Sequence, residues 1–469
     1  MKIDQINSKL VVKDFRLDGS FFLNAHAVNS RKIEAHASKC DALEDLADVF
    51  NPPIFKRQFC EKTQNAIPYC QSGDVANLFE GSPIYVNKEH SLKVGAIAKL
   101  DQILITGFGT IGNIRIVNEL SEGTAYANNV CRVQAKEGVL PGYLYAFLSS
   151  KYGKSQLNKN ASGSVVRYIE SPGIKKTLVP KLTKGIKQRV HQQIKDITEL
   201  RIKSNNLLDN VRKRLLLMAN LQPLNSNDYE YFGFHGRNRN VSVFKRAVSE
   251  LSPITINAFN YSKRIENLED RVRESNKWLP LHKALSNEGF FSTGSFPRLE
   301  LDSPNSIRLI NQSDIFHKNI EGKLIARKKV KTDKLLNYGE ILIAGVGTLG
   351  ENETFCRVIF ANEELEGQLI SGEFIRMKTT PEIPSGYLYA WLSSDYGFRF
   401  IRKTHTGTKL CRPIQELLKN LPVPILDKDK MTEIDNDVKQ AHKWMYQALQ
   451  QEIKAISTIE NEIESWQKS

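Results

Sequence analysis

The feature that most restricts how this 469-residue chain can fold is that it repeats itself once, at a spacing near half its length. The run from Gln102 to Gly112 (QILITGFGTIG) returns from Glu340 to Gly350 as EILIAGVGTLG. A second block, from Gly142 to Gly153 (GYLYAFLSSKYG), returns from Gly386 to Gly397 as GYLYAWLSSDYG. Other positions keep the second spacing: Arg132 matches Arg376, Gly163 matches Gly407, and Val179-Pro180 matches Val423-Pro424. Upstream, Gln71-Ser72-Gly73-Asp74-Val75 resembles Asn311-Gln312-Ser313-Asp314-Ile315. Two collinear blocks this alike identify a duplicated unit of about 240 residues, long enough for each copy to bury its own core.

Each copy reads the same way. A polar, partly helical lead-in precedes short β-rich segments, a helix over 142–152 or 386–396, a glycine-containing loop and a closing proline, Pro180 or Pro424. A long helix-patterned stretch without internal proline follows each time. The first, about 185–220, has Ile186, Val190, Ile194, Ile197, Leu208, Val211, Leu215 and Met218 spaced mainly by three and four. The second, about 428–467, places Met431, Ile434, Val438, Ala441, Met445, Leu449, Ile453, Ile456, Ile463 and Trp466 likewise. Both patterns suit the a/d seam of a coiled coil, and isolated helices are marginal in water. Each stretch therefore predicts the other as its partner.

Charge divides along the same lines. The chain carries 66 Lys+Arg against 52 Asp+Glu, a net +14, which favours a polyanionic partner. Residues 1–180 and 223–426 hold +5 each, residues 181–222 hold +7, and residues 427–469 hold −3. Opposite charge on the two helices favours their mutual pairing over self-pairing. No apolar run approaches the ~18 residues that span a bilayer, and Met1-Lys2-Ile3-Asp4 opens no signal peptide. Six cysteines without a C-x-x-C pair read as reduced thiols of a cytoplasmic protein. These observations exclude membrane, secreted and zinc-finger classes.

Two motifs suggest catalysis. Asn51-Pro52-Pro53-Ile54 resembles the Asn/Asp-Pro-Pro-aromatic tetrad of adenine methyltransferases, and Gly107 to Gly112 fits the spacing of a cofactor loop. The cofactor motif must open a helix, yet Ile114 to Val117 alternates as a strand does, so the glycines predict a β-hairpin turn. The tetrad lacks its aromatic residue, and the second copy has Ser295-Phe296-Pro297-Arg298 instead. His191, His317 and His405 are scattered and belong to no catalytic motif. The chain reads as non-catalytic, with no cofactor or metal of its own.

Side chains suited to reading bases are better represented. In the first copy they are Lys56, Arg57 and Gln58 (with Lys62, Gln64 and Asn65 nearby), Asn128, Asn129, Arg132, Arg167 and Tyr168. In the second they are Arg298, Arg308, Asn311, Gln312, Arg376, His405, Lys409 and Arg412. Arg and Lys suit guanine O6/N7, and Asn and Gln suit adenine N6/N7.

The repeated I-L-I-x-G-x-G-T-[IL]-G block, the G-Y-L-Y-A-[FW]-L-S-S helix, the Gly163/Gly407 loop and the proline before each long helix resemble the DNA-specificity (S) subunits of type I restriction–modification systems. The resemblance implies an α+β fold. Two pseudo-symmetric target-recognition domains, 1–180 and 223–426, are separated by two antiparallel coiled-coil spacer helices, 181–222 and 427–469. It implies double-stranded DNA as ligand, each domain reading one half of a bipartite, asymmetric site. It further implies two methylation (M) subunits and restriction (R) translocase subunits as partners, and no membrane. S-adenosylmethionine, ATP and Mg²⁺ would belong to those partners. Alternatives are a stand-alone N6-adenine methyltransferase using Asn51 to Ile54, a coiled-coil scaffold, or a specificity-like subunit of a related phage-defence system. The last is suggested by lead-ins, 1–45 and 223–285, that match neither each other nor the family readily.

Overall fold

A computed structural model of the chain describes Ser8, Phe22 and residues 24–161, 167–225, 243–275, 277–351 and 353–466. Gly163 lies outside the described residues. The chain divides into two compact units, residues 1–202 with 447–469, and residues 203–446.

In the first unit, a four-stranded antiparallel sheet runs in the order Ala47–Phe50, Val130–Ala135, Ile103–Thr106, Ile114–Ile116. The glycine run thus joins two antiparallel strands, as its flanking alternation predicts. All four residues of Ile103–Thr106 are buried, which is why this strand reads as a continuous apolar run. A second sheet is ordered Phe59–Cys60, Tyr85–Asn87, Ala66–Cys70, Ala125–Tyr126, the last pair parallel. Cys40–Ala42 pairs with Leu178–Pro180.

The second unit has the same plan. Its main sheet runs Leu285–Phe291, Phe374–Thr379, Ile341–Ala344, Val358–Phe360. Its second sheet is Lys323–Ala326, Ser306–Ile310, Leu369–Ile370, again with a parallel last pair. Lys277–Pro280 pairs with Pro422–Ile425. The duplication in sequence is a duplication of topology.

The predicted single helix over 142–152 is two helices, Pro141–Ser149 and Lys151–Lys159; the second copy has Ser385–Leu392 and Asp395–Lys403. The S-S-x-Y-G motif makes the break. Ser150 takes extended backbone geometry, its hydroxyl donates to Phe147 O at 2.6 Å, and the same oxygen accepts from Gly153 N at 3.2 Å. Ser394 repeats this with Trp391 O and Gly397 N at 2.6 and 3.2 Å. A Cβ on Gly153 or Gly397 would lie 2.3 or 2.4 Å from a carbonyl oxygen of the preceding helix, so only glycine fits the corner. The motif tyrosines are equally exact: Tyr143 Oη donates to Pro180 O, and Tyr387 Oη to Pro424 O, both at 2.7 Å.

The lead-ins, unmatched in sequence, are matched in role. Ala25–Glu34 packs on Lys151–Lys159, with Lys159 bonded to Glu34 at 2.6 Å. Lys263–Ser275 packs on Asp395–Lys403, with Lys403, the counterpart of Lys159, bonded to Glu269 at 3.1 Å.

The long helices are Lys184–Met218 and Lys428–Ser465, and each contributes a stretch to both units. Within the first unit, Val190, Ile194 and Ile197 share a core with Ala448, Ala455, Ile459 and Ile463. Within the second, Ser204 Oγ donates to Ala441 O at 2.8 Å, while Arg214 reaches Glu433 at 2.7 Å and also Asp437. The rising number on one helix meets the falling number on the other, so these stretches run antiparallel. One expectation is corrected. Beyond Met445 the buried positions are Ala448, Glu452, Ala455, Ile459 and the expected Ile463, and Ile453 is half exposed. Apolar spacing missed this face because it contains a glutamate. Glu452 is tolerated there because Arg201 Nη2 donates to it at 2.6 Å and the Tyr145 hydroxyl donates to it as well. A satisfied polar pair within an apolar seam is a device for fixing register and orientation.

Candidate nucleic-acid interface

In each unit the glycine turn is tied to the loop that follows the helix pair. In the first, Gly107 N donates to Asn129 O at 3.1 Å, Ile169 N to Gly107 O at 2.8 Å, and Gly109 N to Arg167 O at 3.2 Å. Asn51 joins the same belt, donating to Asn128 O at 3.0 Å and accepting from Ser171 N at 3.3 Å. Asn129 Nδ2 reaches Ser72 Oγ at 3.5 Å. The fold thus gathers Asn128, Asn129, Arg167 and Tyr168, widely separated in sequence, beside the turn.

Outside the belt lie exposed cations and rings. Lys56, Arg57 and Gln58 are exposed, as are Lys62, Gln64 and Asn65. Arg57 sits over the Tyr69 ring at 5.7 Å, and Lys62 over Tyr85 at 5.7 Å. Arg167 is exposed and donates to Asn158 O. Tyr168 stacks on Phe108, ring centroids 5.6 Å apart and planes 17° from parallel, with 38% and 40% of the two residues exposed. Phe108 was not among the residues expected from the sequence; its signal is an aromatic placed inside a glycine turn.

The second unit builds the same belt with different chemistry on it. Gly347 and Cys411 exchange backbone hydrogen bonds at 3.2 and 2.7 Å, and Gly345 N donates to Glu373 O at 3.1 Å. Beyond Cys411 and before it, Lys409, Leu410 and Arg412 are exposed. Arg298 is exposed over Phe296 at 5.6 Å. Arg308 is half-buried, bonded to Ile320 O at 2.9 Å and 3.5 Å from Glu364, whose carboxyl burial pushes up to about 6 against the opposing pull of Arg308. Three further arginines surround Phe398: Arg357 at 3.9 Å, Arg402 at 4.4 Å and Arg399 at 5.4 Å. Arg399 and Arg402 bind the Glu351 carboxylate, and Arg402 donates to Gly350 O at 2.6 Å, which pins the glycine turn from the helix. Their sequence signal is the basic run from Arg399 to Lys403.

Four residues expected to reach bases are interior instead. Arg132, 1% exposed, donates to Ala96 O at 2.9 Å, Tyr126 O at 3.1 Å, Ala127 O at 3.2 Å and Val130 O; burial lowers its pKa to about 10. Arg376, also 1% exposed, forms a bidentate pair with Glu340 at 2.9 and 3.0 Å and donates to Lys334 O and Leu335 O. The repeat of this arginine marks a bracket of the main sheet. Gln312 clamps the turn, its Oε1 accepting from Val346 N at 3.1 Å and its Nε2 donating to Val346 O. His405 is buried against Phe259, and burial lowers its pKa.

The tetrad that resembled a methyltransferase motif is otherwise engaged. Both polar atoms of the Asn51 side chain are bonded to backbone, and Ile54 is 89% exposed. All six cysteines are free; burial raises Cys40 to about 11 and Cys131 to about 12. Among the described residues, no cluster of three or more His, Cys, Asp or Glu could hold a metal ion, and no helix is long and apolar enough to cross a membrane.

No family model and no curated protein matches the chain. Solved structures do. The S subunit of a type I restriction–modification system from M. genitalium is 12% identical and aligns over 91% of this chain and 94% of its own, with a TM-score of 0.30. The HsdS subunit from Thermoanaerobacter tengcongensis is 13% identical over 91% and 95%, with a TM-score of 0.26. The type IIG restriction endonuclease BpuSI is 10% identical over 40% of this chain and 30% of its own, with a TM-score of 0.30. Of these structures, the two that align along most of this chain are type I restriction–modification S subunits.

Proposed function

We propose that this chain is a non-catalytic DNA-specificity subunit of a type I restriction–modification complex. Each unit reads one half of a bipartite, asymmetric duplex site, and partner subunits carry out adenine methylation and restriction. The observation that carries the reading is the duplicated head: one sheet order, one helix corner and one glycine-turn belt, built twice on two shared long helices. Scaffolds of one plan with different outward side chains suit two half-sites of different sequence. The first head presents Lys56, Arg57, Gln58, Arg167 and Tyr168; the second presents Arg298, Lys409 and Arg412. Asn128, Asn129 and Arg308 stand behind these, shaping the loops that carry them.

The 35 residues of the first long helix extend about 52 Å at 1.5 Å per residue, and in this reading the helix length sets the gap between half-sites. S-adenosylmethionine, ATP and Mg²⁺ are assigned to two methylation subunits and the restriction translocase. Selection of random duplexes by the purified chain tests the proposal. Two short blocks around an unread gap of constant length are expected, and affinity falling steeply with salt. A single contiguous motif would overturn it.

A further inference from the structure

The first head carries an apolar feature that a phosphate grip does not need. Phe108 and Tyr168 are stacked, each about two-fifths exposed, at the tip of the glycine turn. Both are held by backbone rather than by packing alone: the bridge that pairs them is closed by Gly109 N on Arg167 O and Ile169 N on Gly107 O. Exposed Arg167 adjoins the rings in sequence, and exposed Lys56 and Arg57 belong to the same unit. By the repeat, the second head has half-buried Val346 and exposed Arg412 where the first has Phe108 and Tyr168.

We infer that the Phe108–Tyr168 stack is a specificity-determining contact that reads a thymine of the first half-site in the major groove. The inference rests on the DNA-reading proposal above. Several physical points favour this occupant. Exposed Arg167, next to Tyr168 in the chain, suits an anionic ligand, so the apolar surface is offered beside a positive charge. A wedge that enters a base step is one side chain thick; two stacked rings exceed the gap that one unstacked step opens. The pair therefore meets a base along its ring edges. Aromatic edges are the positive rim of the quadrupole. Thymine alone presents a methyl group beside an acceptor oxygen in the major groove, which matches an apolar, edge-positive surface. Because the rings are already ordered against each other, little rotamer freedom remains to be lost on binding.

The test uses the full-length chain and the half-site recovered by selection from random duplexes. Thymidine is replaced by deoxyuridine one position at a time, which removes only the methyl group. Wild-type chain should lose affinity at one position of the first half-site by about 4-fold, the scale of burying one methyl group. Phe108→Ala and Tyr168→Ala should abolish that difference and relax selection at the same position, leaving the second half-site and the salt slope unchanged. Tyr168→Phe keeps the ring and should behave as wild type, which separates the contact from misfolding. Equal affinity for thymine and uracil throughout the first half-site would overturn the inference while leaving the DNA-reading proposal intact. So would alanine variants with unaltered selection, including any that instead weaken assembly with a protein partner. A wild-type chain that enriches no sequence would remove the DNA-reading proposal and this contact together.

Discussion

Replacing Arg376 separates a structural arginine from a base-reading one. Its guanidinium is 1% exposed and holds Glu340, also 1% exposed, through two bonds of 2.9 and 3.0 Å. It also ties Lys334 O and Leu335 O at 2.8 Å each and lies 4.9 Å from the Phe291 ring. Arg376→Met conserves much of the volume and removes the charge. Glu340 would keep its bonds from Asn337 N and Nδ2 at 3.0 and 2.8 Å, but its carboxylate would be buried without a counter-charge. Breaking a buried pair in this way costs about 3–5 kcal/mol. Removing the charge on both sides, in Arg376→Met with Glu340→Gln, should recover most of that loss, because a neutral amide needs no counter-ion.

The first unit supplies an internal control. Gln102 stands where the second unit has Glu340, and Arg132 is held by carbonyl oxygens alone. Arg132→Met therefore strands no anion and should cost less, about 1–3 kcal/mol. Urea denaturation of the full chain is the assay, with buried Trp391 as a fluorescent reporter of the second unit. Hydrogen exchange over residues 341–344 and 374–379 localises the effect. If Arg376→Met left stability unchanged and altered one selected base, the assignment of this arginine to the interior would be refuted.

Glu452→Ala removes the carboxylate shared by Arg201 and the Tyr145 hydroxyl and should destabilise the first unit by about 3–5 kcal/mol, read as faster hydrogen exchange in residues 141–149. Gly153→Ala and Gly397→Ala each force a methyl group against backbone and should lower the melting temperature of their own unit, whereas Gly185→Ala, where nothing approaches, should not. His442 is fully enclosed by Phe360 and Tyr389; burial, then Arg212, lowers its pKa to about 3. Its folded pKa lies below the unfolded value near 6.5, so its contribution is complete above that pH and is lost as pH falls from 6.5 toward 3. The slope from this group approaches about 1.4 kcal/mol per pH unit, and His442→Leu should remove that part of the acid sensitivity in urea titrations. Lengthening Lys184–Met218 by two heptads should change the gap between selected blocks without changing the blocks.

The sequence alone determined the large-scale plan. Duplication, the hairpin around Gly107 to Gly112 and two long helices are local or periodic properties, and periodicity survives without knowledge of what packs where. It also contained, as repeated letters, the parts whose purpose is steric or covalent geometry: Ser150 and Gly153 turn a corner, and Tyr143 finds Pro180. Only the tertiary structure decided which polar residues face outward. Arg132 is inside because Ala96, Tyr126, Ala127 and Val130 converge their carbonyls on it; Arg376 is inside because Glu340 comes within reach. Glu452 occupies a helix seam for the same reason. Burial of a charge is licensed by partners distant in sequence, and charged residues are ordinarily outside. Composition and spacing cannot register such partners. Phe108, conversely, is an aromatic that spacing would bury, held out at a turn by a bridge to Tyr168, sixty residues away.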